Sequence, residues 1–579
     1  MSETIIGIDL GTTNSEVAVV REGRVEVLEI SNGSRLLPSV VGLADDGALL
    51  VGEAAWNQYG LYPERSVRSI KRRMGGDQKV NMGGQEYTPQ EISALILKRL
   101  KAVAESYLGE AVHKAVITVP AYFSDAQRQA TKDAGEIAGL DVARIINEPT
   151  AASLAYETGT KGRKQILVYD LGGGTFDVSV VRLENGVVEV LASHGNNHLG
   201  GDDFDQKIVD HVLAHLKQEQ GLDPSNSKQA MARILCAAES AKIALSDNPY
   251  AMLEEEYLLE QNGVPVHLSM ELARDDYEAM IHPFIDETLI AAHTALDGAG
   301  VSVSQLDEIL LVGGATRTPL IARHLEKELG LQPRSDVDPE LCVAAGAAIQ
   351  GAVIAGGPVS SVLVDITPYT FGTSALAELK GEMYPYKYVP LIRNNSVIPT
   401  SKSEVFYTAF DGQTTVEVMV YQGEDPDALN NTEIGRFLIE GLGDVPHGNP
   451  IITTFSLDLN GILHVRAREK ETGLEKSITI DNAIARFEEE QMEQAKARIS
   501  QLFEGEVVVE AERVQTRELT QARALIEKAE RLMEDASEDD REDLVDLVEG
   551  LTDAMGSHDL HAMQKASEPL TDLIFYLES

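Results

Sequence analysis

Cysteine is almost absent from this sequence, basic residues are scarce, and long apolar runs are missing. Two cysteines in 579 residues cannot make a disulfide framework or a cysteine-based zinc site. The 49 Lys and Arg residues face 93 Asp and Glu residues, and the net charge of −44 disfavours nucleic acid and anionic membranes as partners. No run reaches membrane-spanning length, and the first residues lack the basic segment of a signal peptide. We therefore expect a cytoplasmic, multi-domain protein.

A glycine-rich turn between two apolar strands is the most informative feature of the chain. Residues 166–181 read ILVYDLGGGTFDVSVV, with Asp170 before the three glycines and Asp177 after them. Glycine lets backbone N–H groups approach a phosphate closely, and carboxylates hold the water shell of Mg²⁺. The stretch predicts either a phosphate-binding β-hairpin or a hairpin that only reverses the chain, and alone it does not decide between them.

The same arrangement occurs a second time near the N-terminus. Residues 5–28 begin IIGIDLGTTN, and aligning Asp9 with Asp170 also aligns the glycines and strands that follow. A third glycine loop, residues 312–317, opens a helical pattern, and helix N-termini bind anions. Two copies of one unit and a third glycine loop predict two similar lobes that face each other across a nucleotide.

Three further segments carry a family resemblance. They are residues 119–128 (VPAYFSDAQR), 146–152 (INEPTAA) and 197–205 (NHLGGDDFD). With the glycine loops, they resemble the actin-fold ATPases and, more narrowly, the DnaK-type chaperones, the seventy-kilodalton heat-shock class. The resemblance extends to about residue 480. The short segment between Arg73 and Thr88 and the short C-terminal region most resemble the specialised bacterial HscC branch.

The resemblance implies a multi-domain fold. An α/β actin-like ATPase domain of two lobes is expected over residues 1–355, and an interdomain linker over 356–366. An all-β sandwich that binds peptides is expected over 367–481, followed by a C-terminal α-helical lid over 482–579. The residues support this order, because the pattern changes from alternating strands and helices to a period of two after 366 and to helical spacing after 481.

The resemblance also implies an ATP site that uses ATP or ADP, Mg²⁺ and, as a further candidate, K⁺. Asp9 and Asp170 would hold Mg²⁺ through water. Catalytic roles are implied for Asp9, Lys71, Glu148, Asp170, Thr175 and Asp177. Nucleotide contacts are implied for Gly11, Thr12, Thr13, Asn14, Gly172, Gly173, Gly174, Gly201, Glu239, Lys242, Ser246, Gly313, Gly314, Arg317 and Glu340. By pattern alone, Lys71 fits a solvated basic patch and Glu239 an ordinary polar helix face.

Peptide binding and partner contacts are implied in the same way. The peptide pocket would be lined by Phe406, Ala409, Val416 and Val418. The positions implied in relaying nucleotide state or meeting a co-chaperone are Pro120, Arg128, Arg144, Asn147 and Asp365. The expected partners are unfolded or client polypeptides, a J-domain co-chaperone and a nucleotide-exchange factor whose type the short 73–88 segment leaves open. We expect a monomer that binds neither nucleic acid nor membrane.

The expected function is that of an ATP-dependent chaperone, an ATPase that binds extended apolar segments and switches its peptide affinity by hydrolysis. Three alternatives remain at this stage. A peptide-binding module with an impaired cleft would lack turnover, and an actin-fold small-molecule kinase would need no sandwich or lid. An actin-like filament protein would polymerise with ATP.

Local patterns predict details of the sandwich and of two helices. Thr88 with Glu91 predicts a capped helix start. Asn460–Gly461 between two apolar stretches predicts a type I′ hairpin turn. Residues 373–390, which carry three tyrosines, are expected to form a long loop near the bound peptide. Residues 487–503 show the spacing of a helix.

Overall fold

The structure is a computed structural model. The structure describes residues 4–31, 33–157, 162–261, 264–334, 338–357, 361–443, 446–479 and 489–504, with short pieces beyond residue 524. The chain divides into two compact units, Met1–Ala44 with Leu50–Ile499, and Asp45–Leu49 with Ser500–Ser579. Within the described residues, no helix is both long and apolar enough to cross a membrane.

The first lobe is built on a six-stranded sheet with helices packed against it. Its strands are β1 (Ile5–Asp9), β2 (Asn14–Arg21), β3 (Arg24–Val27), β4 (Leu37–Pro38), β5 (Val41–Leu43), β6 (Leu49–Val51), β7 (Ser66–Val67), β8 (Val80–Met82), β9 (Gln85–Tyr87), β10 (Lys114–Val119) and β11 (Asp141–Asn147). Its helices are α1 (Glu53–Tyr59), α2 (Pro89–Leu108), α3 (Asp125–Ile137) and α4 (Glu148–Glu157). The sheet order is β11-β10-β1-β2-β3, with β4 paired to β2.

The second lobe repeats this plan. Its strands are β12 (Arg163–Leu171), β13 (Phe176–Glu184), β14 (Val187–Asn196), β15 (Tyr250–Gln261), β16 (Val264–Ala273) and β17 (Glu308–Val312). Its helices are α5 (Gly201–Gln220), α6 (Lys228–Asp247), α7 (Arg274–Ala299) and α8 (Pro319–Leu329), whereas α9 (Cys342–Ile354) packs against β1 and β2 of the first lobe. In each lobe, three consecutive strands pair antiparallel and a later strand joins the first one in parallel. The duplicated hairpin seen in the sequence is therefore a duplicated sheet.

The segment after α9 continues the sheet of the second lobe. Residues Val362–Ile366 form β18, which pairs in parallel with β14 and antiparallel with β21 (Val397–Ile398). The expected linker is therefore a strand over its last five residues.

A β-sandwich follows, with two four-stranded sheets. Its strands are β19 (Phe371–Leu379), β20 (Glu382–Ile392), β22 (Thr400–Tyr407), β23 (Thr415–Gln422), β24 (Thr432–Glu440), β25 (Pro450–Leu457), β26 (Leu463–Glu469) and β27 (Glu475–Thr479). The orders are β20-β19-β23-β24 and β22-β25-β26-β27. Side chains alternate between buried and exposed along β26, which confirms the predicted period of two.

Two local predictions in the sandwich are wrong. The Asn460–Gly461 turn is not type I′, because only Gly461 has a positive φ, whereas type I′ needs two such residues. The Asp458 carboxylate instead accepts the N–H groups of Asn460 and Ile462, at 2.8 and 2.9 Å, and holds the turn in another form. Residues 373–390 are not a loop but most of the β19–β20 hairpin, whose turn at Lys380 and Gly381 does have two positive φ values.

The predicted helices are present where the structure describes them. Thr88 and Glu91 form a capping box at the start of α2, as predicted. Residues 489–504 are helical, and Phe487 of that predicted helix lies outside the described residues. In the second unit, short helical pieces beyond residue 524 share a small apolar cluster that includes Leu544 and Leu551.

Candidate functional site

A cavity of about 710 Å³ lies where the β1–β2 turn, the β12–β13 turn and the loop after β17 converge. The predicted residues that line it are Asp9, Gly11, Thr12, Thr13, Asn14, Lys71, Glu148, Asp170, Gly172, Gly173, Thr175, Gly201, Glu239, Lys242, Ser246, Gly313, Gly314, Arg317 and Glu340. Gly174 and Asp177 lie outside this lining. The structure thus brings together nearly all residues predicted for the nucleotide, from sequence positions more than three hundred residues apart.

Glycine is required where the turns approach each other. A Cβ atom at Gly173 would lie 1.9 Å from Oγ1 of Thr13. One at Gly313, whose φ is +84°, would lie 2.4 Å from the carbonyl oxygen of Leu171. Bare backbone is the only arrangement that fits at both places, and such backbone suits a phosphate cradle.

Acidic side chains in the cavity form a candidate site for a cation. Asp9, Glu16 and Asp170 all line it. Burial raises the pKa of Asp170 well above its usual range, and the neighbouring acids, Glu148 first, raise it further. One carboxylate oxygen of Asp170 and one of Glu16 are buried without a hydrogen-bond partner among the described residues. Crowded carboxylates with unused oxygens are what Mg²⁺ and its water shell would fit.

Lys71 and Glu148 form a buried ion pair in the wall of the cavity. Burial raises the pKa of Glu148 to about 7, although Lys71 opposes the shift. Burial lowers the pKa of Lys71, but the carboxylates of Glu148 and Asp9 outweigh it, and the net shift is upward. The cavity wall therefore holds a stable cation beside a group that can accept a proton, a pair suited to orienting water.

Asp177 lies behind the cavity rather than in its lining. Its carboxylate accepts the N–H groups of Ala121 and Tyr122, each at 3.0 Å. Burial raises its pKa to about 6, and these two N–H groups oppose the shift. Thr175, two residues before it, lines the cavity and is 6% exposed. The structure thus joins the β12–β13 turn to the segment that follows β10.

Four of the residues predicted to contact the nucleotide, Glu239, Lys242, Arg317 and Glu340, form ion pairs. Lys242 lies 2.8 Å from Asp205, and Arg317 lies 2.9 Å from Glu340. Glu239 contacts Arg68 of the first lobe at 3.4 Å.

Arg68 was not predicted as a site residue. Besides Glu239 it contacts Asp202 at 3.3 Å, so one guanidinium ties the first lobe to α5 and α6 of the second. Burial lowers the pKa of Arg68, but the carboxylates of Asp202 and Glu239 reverse the shift. The sequence signal was only the neighbouring basic cluster at residues 70–74.

A buried hydrogen-bond network connects the first lobe to β18. Asp365 accepts two hydrogen bonds from the amide of Asn147, at 3.1 and 3.0 Å, and one from Thr150 at 3.4 Å. Asn147 in turn accepts from Arg128 at 2.7 Å. Burial raises the pKa of Asp365 and lowers that of Arg144, whose guanidinium is attracted to it. Five residues were predicted to relay the nucleotide state or to contact a co-chaperone. Four of them, Arg128, Arg144, Asn147 and Asp365, interact in this one network.

Pro120, the fifth, is buried directly after β10, in the segment whose next two N–H groups bind Asp177. This placement puts the predicted relay residue between the cleft and the sandwich contacts described next.

The β25–β26 turn of the sandwich contacts the first lobe. The side-chain oxygen of Asn460 accepts the N–H of Ile145 at 3.0 Å, and Asp125 accepts the N–H of Leu463 at 2.7 Å. The Tyr369 hydroxyl donates to the carbonyl oxygen of Tyr122 at 2.5 Å. Asn460 was predicted only as a turn residue, and its contact with the lobe explains why its side chain is held in place.

The helix at residues 489–504 also contacts the first lobe. Arg498 forms an ion pair with Glu91, and its guanidinium lies 4.6 Å from the ring centre of Tyr87. Arg498 of this helix is thus held against α2 and β9.

The predicted peptide residues are spread over both sheets of the sandwich. Val418 is buried in its core, Val416 packs against that core, and Phe406 is half-buried on β22. Ala409 is exposed. Their grouping into one pocket stays a prediction.

The fold defines a two-lobed protein, with a cleft suited to phosphate between the two duplicated sheets. Hydrogen bonds join a β-sandwich to the first lobe. A family model for the Hsp70 protein matches residues 5–80 and 76–577, and the chain belongs to the Hsp70 family. Members of this family are chaperones and ATPases that bind ATP or ADP with Mg²⁺ and interact with client polypeptides and J-domain proteins.

Proposed function

We propose that this chain is an ATP-dependent chaperone in which hydrolysis at the cleft switches the affinity of the sandwich for extended apolar peptides. The observation that carries the proposal is a continuous set of hydrogen bonds from cleft to sandwich. Asp177 follows the β12–β13 turn and binds the N–H of Tyr122, whose carbonyl oxygen binds the Tyr369 hydroxyl. A shift of the turn on loss of the terminal phosphate would thus move a backbone segment that touches the sandwich.

The cleft residues can do what phosphoryl transfer to water requires, which is positioning and charge stabilisation. Glu148, with its raised pKa, would accept a proton from the attacking water, and Lys71 would orient that water and stabilise charge on the terminal phosphate. Thr175 offers a hydroxyl at the cavity surface. Mg²⁺, held through water by Asp9 and Asp170, would neutralise phosphate charge.

The intact cleft argues against a peptide-binding module without turnover. Lys71 and Glu148 are paired and buried at the cavity, and Asp9 and Asp170 also line it. We also propose that K⁺ is a further ligand of this site.

The sandwich offers an edge for an extended peptide. Strand β22 is at the end of its sheet, and the large side chains of Tyr407, its last residue, and Phe410, three residues beyond it, are 65% and 71% exposed. An unpaired strand edge binds an extended chain through backbone hydrogen bonds, while apolar contacts select its side chains. Phe406, Ala409, Val416 and Val418 would line the pocket beside this edge.

The remaining assignments follow from the same proposal. The domains would be residues 1–355, 356–366, 367–481 and 482–579. Arg144, Asn147 and Asp365 would lie where a J-domain protein acts, because their network joins the lobe to β18. We propose a cytoplasmic monomer of the HscC branch, with an exchange factor of a type that the short 73–88 segment leaves open.

Turnover should respond to peptide and to a J-domain protein together. We expect the two to raise the ATPase rate by about tenfold, equivalent to about 1.4 kcal/mol in the barrier. The measurement is single-turnover hydrolysis with each component alone and with both. If neither changes the rate, the coupling part of the proposal is wrong, while a cleft that hydrolyses ATP would still stand.

Removing the Tyr369 hydroxyl should weaken this response. The variant Tyr369→Phe loses a hydrogen bond to Tyr122 worth about 0.5–1.5 kcal/mol, so peptide stimulation should fall about two- to tenfold. The matched control is Tyr384→Phe, which loses hydrogen bonds to Asp427 inside the sandwich, at 3.2 Å. Equal losses in both variants would show that the effect is local to the sandwich and would count against the path.

A further inference from the structure

A cluster of two histidines and an aspartate lies on the second lobe, between α7 and α8. His282 and Asp286 stand four residues apart on α7, so they share one face of the helix. His324 comes from α8. One ligand atom from each of the three residues lies within 4.8 Å of the others. None of these residues belongs to the lining of the nucleotide cavity.

The distances suit metal ligands. Nδ1 of His282 lies 3.2 Å from one carboxylate oxygen of Asp286, and Nε2 of His324 lies 3.1 Å from the other. Two donors at about 2.0–2.1 Å from a tetrahedral zinc ion stand roughly 3.3 Å apart. The three ligand atoms lie within 4.8 Å of one another, so coordination of one ion would require the three side chains to draw closer together.

The surroundings leave the cluster accessible. It lines an open groove of about 660 Å³, to which His293 and Glu328 also contribute. His324 is 8% exposed, whereas the side chains of His282 and Asp286 are 48% and 55% exposed. One ligand is thus held in place by packing, and two can close over an ion that enters from solvent.

We propose that His282, Asp286 and His324 bind a divalent transition-metal ion, zinc in particular, and that the ion ties α7 to α8. Two imidazoles and one carboxylate, with a fourth position left to water, form a donor set that zinc accepts. Magnesium and calcium prefer oxygen ligands throughout, so the Mg²⁺ that accompanies a nucleotide does not compete for the site.

The bound ion would stabilise a part of the lobe that adjoins the nucleotide cavity. Helix α8 begins two residues after Arg317, which lines that cavity. Helix α7 packs against the sheet of the second lobe, and its Thr288 accepts a hydrogen bond from Tyr169 of β12 at 2.7 Å. A ligand that binds only the folded state raises its stability.

Zinc titration of the full chain, stripped with a chelator and measured by calorimetry in excess Mg²⁺, tests the proposal. We expect the parent chain to bind one zinc ion. The zinc affinity should be at least ~100-fold lower in His282→Ala and in His324→Ala, because losing even a group that only supports a metal ligand lowers metal affinity about 10- to 100-fold. Because His282 is exposed, its variant should fold and bind ADP normally. Cobalt should give the intense visible absorption of a tetrahedral site in the parent and not in the variants.

A second histidine pair in the chain provides the matched control. His211 and His215 also stand four residues apart, on α5. The double variant H211A/H215A should keep the zinc affinity and the zinc-dependent rise in Tm. The proposal is overturned if zinc does not bind, if binding survives in both His282→Ala and His324→Ala, or if it is lost in the H211A/H215A control. In each case the three residues are only a hydrogen-bonded cluster.

Discussion

Replacing Lys71 with alanine should lower the rate of ATP hydrolysis by about 10²–10³-fold while ATP still binds. The lysine is buried beside Glu148, where little water screens its charge. Removing one group that stabilises transition-state charge in such a site lowers the rate by about 10²–10³-fold. Binding should persist because the glycine turns and the other residues predicted to contact the nucleotide are separate from Lys71. Single-turnover hydrolysis and equilibrium binding of a fluorescent ATP analogue measure the two effects separately.

The matched control for this variant is Arg73→Ala. Arg73 lies in the same short helical segment, Ile70–Arg73, but is exposed. Its loss should leave the hydrolysis rate within about twofold of the parent. Persistent turnover in Lys71→Ala, or equal loss in both variants, would contradict the role given to Lys71.

Replacing Asp365 with asparagine should uncouple peptide release from ATP. The carboxylate accepts three hydrogen bonds from Asn147 and Thr150, and an amide NH₂ in its place would face a donor. Hydrogen bonds to a charged group are worth about 1.5–3 kcal/mol, so a loss of about 2 kcal/mol would lower the population with β18 in the sheet roughly 30-fold. The release rate of a labelled peptide, measured with and without ATP, should then become nearly the same.

The control is Asp425→Asn, an equivalent change at an exposed position of the sandwich. It should preserve the ATP effect on peptide release. A normal ATP effect in Asp365→Asn would show that β18 does not transmit the nucleotide state, even if the cleft and the peptide site both work.

The repeated hairpin could be predicted because its pattern is local. The acid, the glycines and the alternating strand at residues 166–181 specify a tight turn, and the copy at residues 5–28 specifies a second. The structure repeats the same strand pairing in both lobes. The first glycine turn alone left its role open, and its second copy together with the glycine loop at residues 312–317 favoured phosphate binding.

Other site features could not be predicted, because they depend on contacts between distant segments. Glu16 occupies one position of the buried strand β2, and only the fold shows that it faces the cavity. Arg68 stands just outside the basic cluster and acquires its role from partners on α5 and α6. The turn at Asn460 differed from prediction because Asp458 holds it and the first lobe uses the Asn460 side chain.

The strand formed by Val362–Ile366 has a consequence for solubility. It covers the outer edge of β14, whose backbone N–H and C=O groups would otherwise end the sheet. An uncovered strand edge is a template for pairing with another chain. A conformation in which the sandwich leaves the lobes and takes β18 with it would therefore expose an unpaired strand edge. The segment that we propose to signal between domains would thus also protect the lobe against self-association.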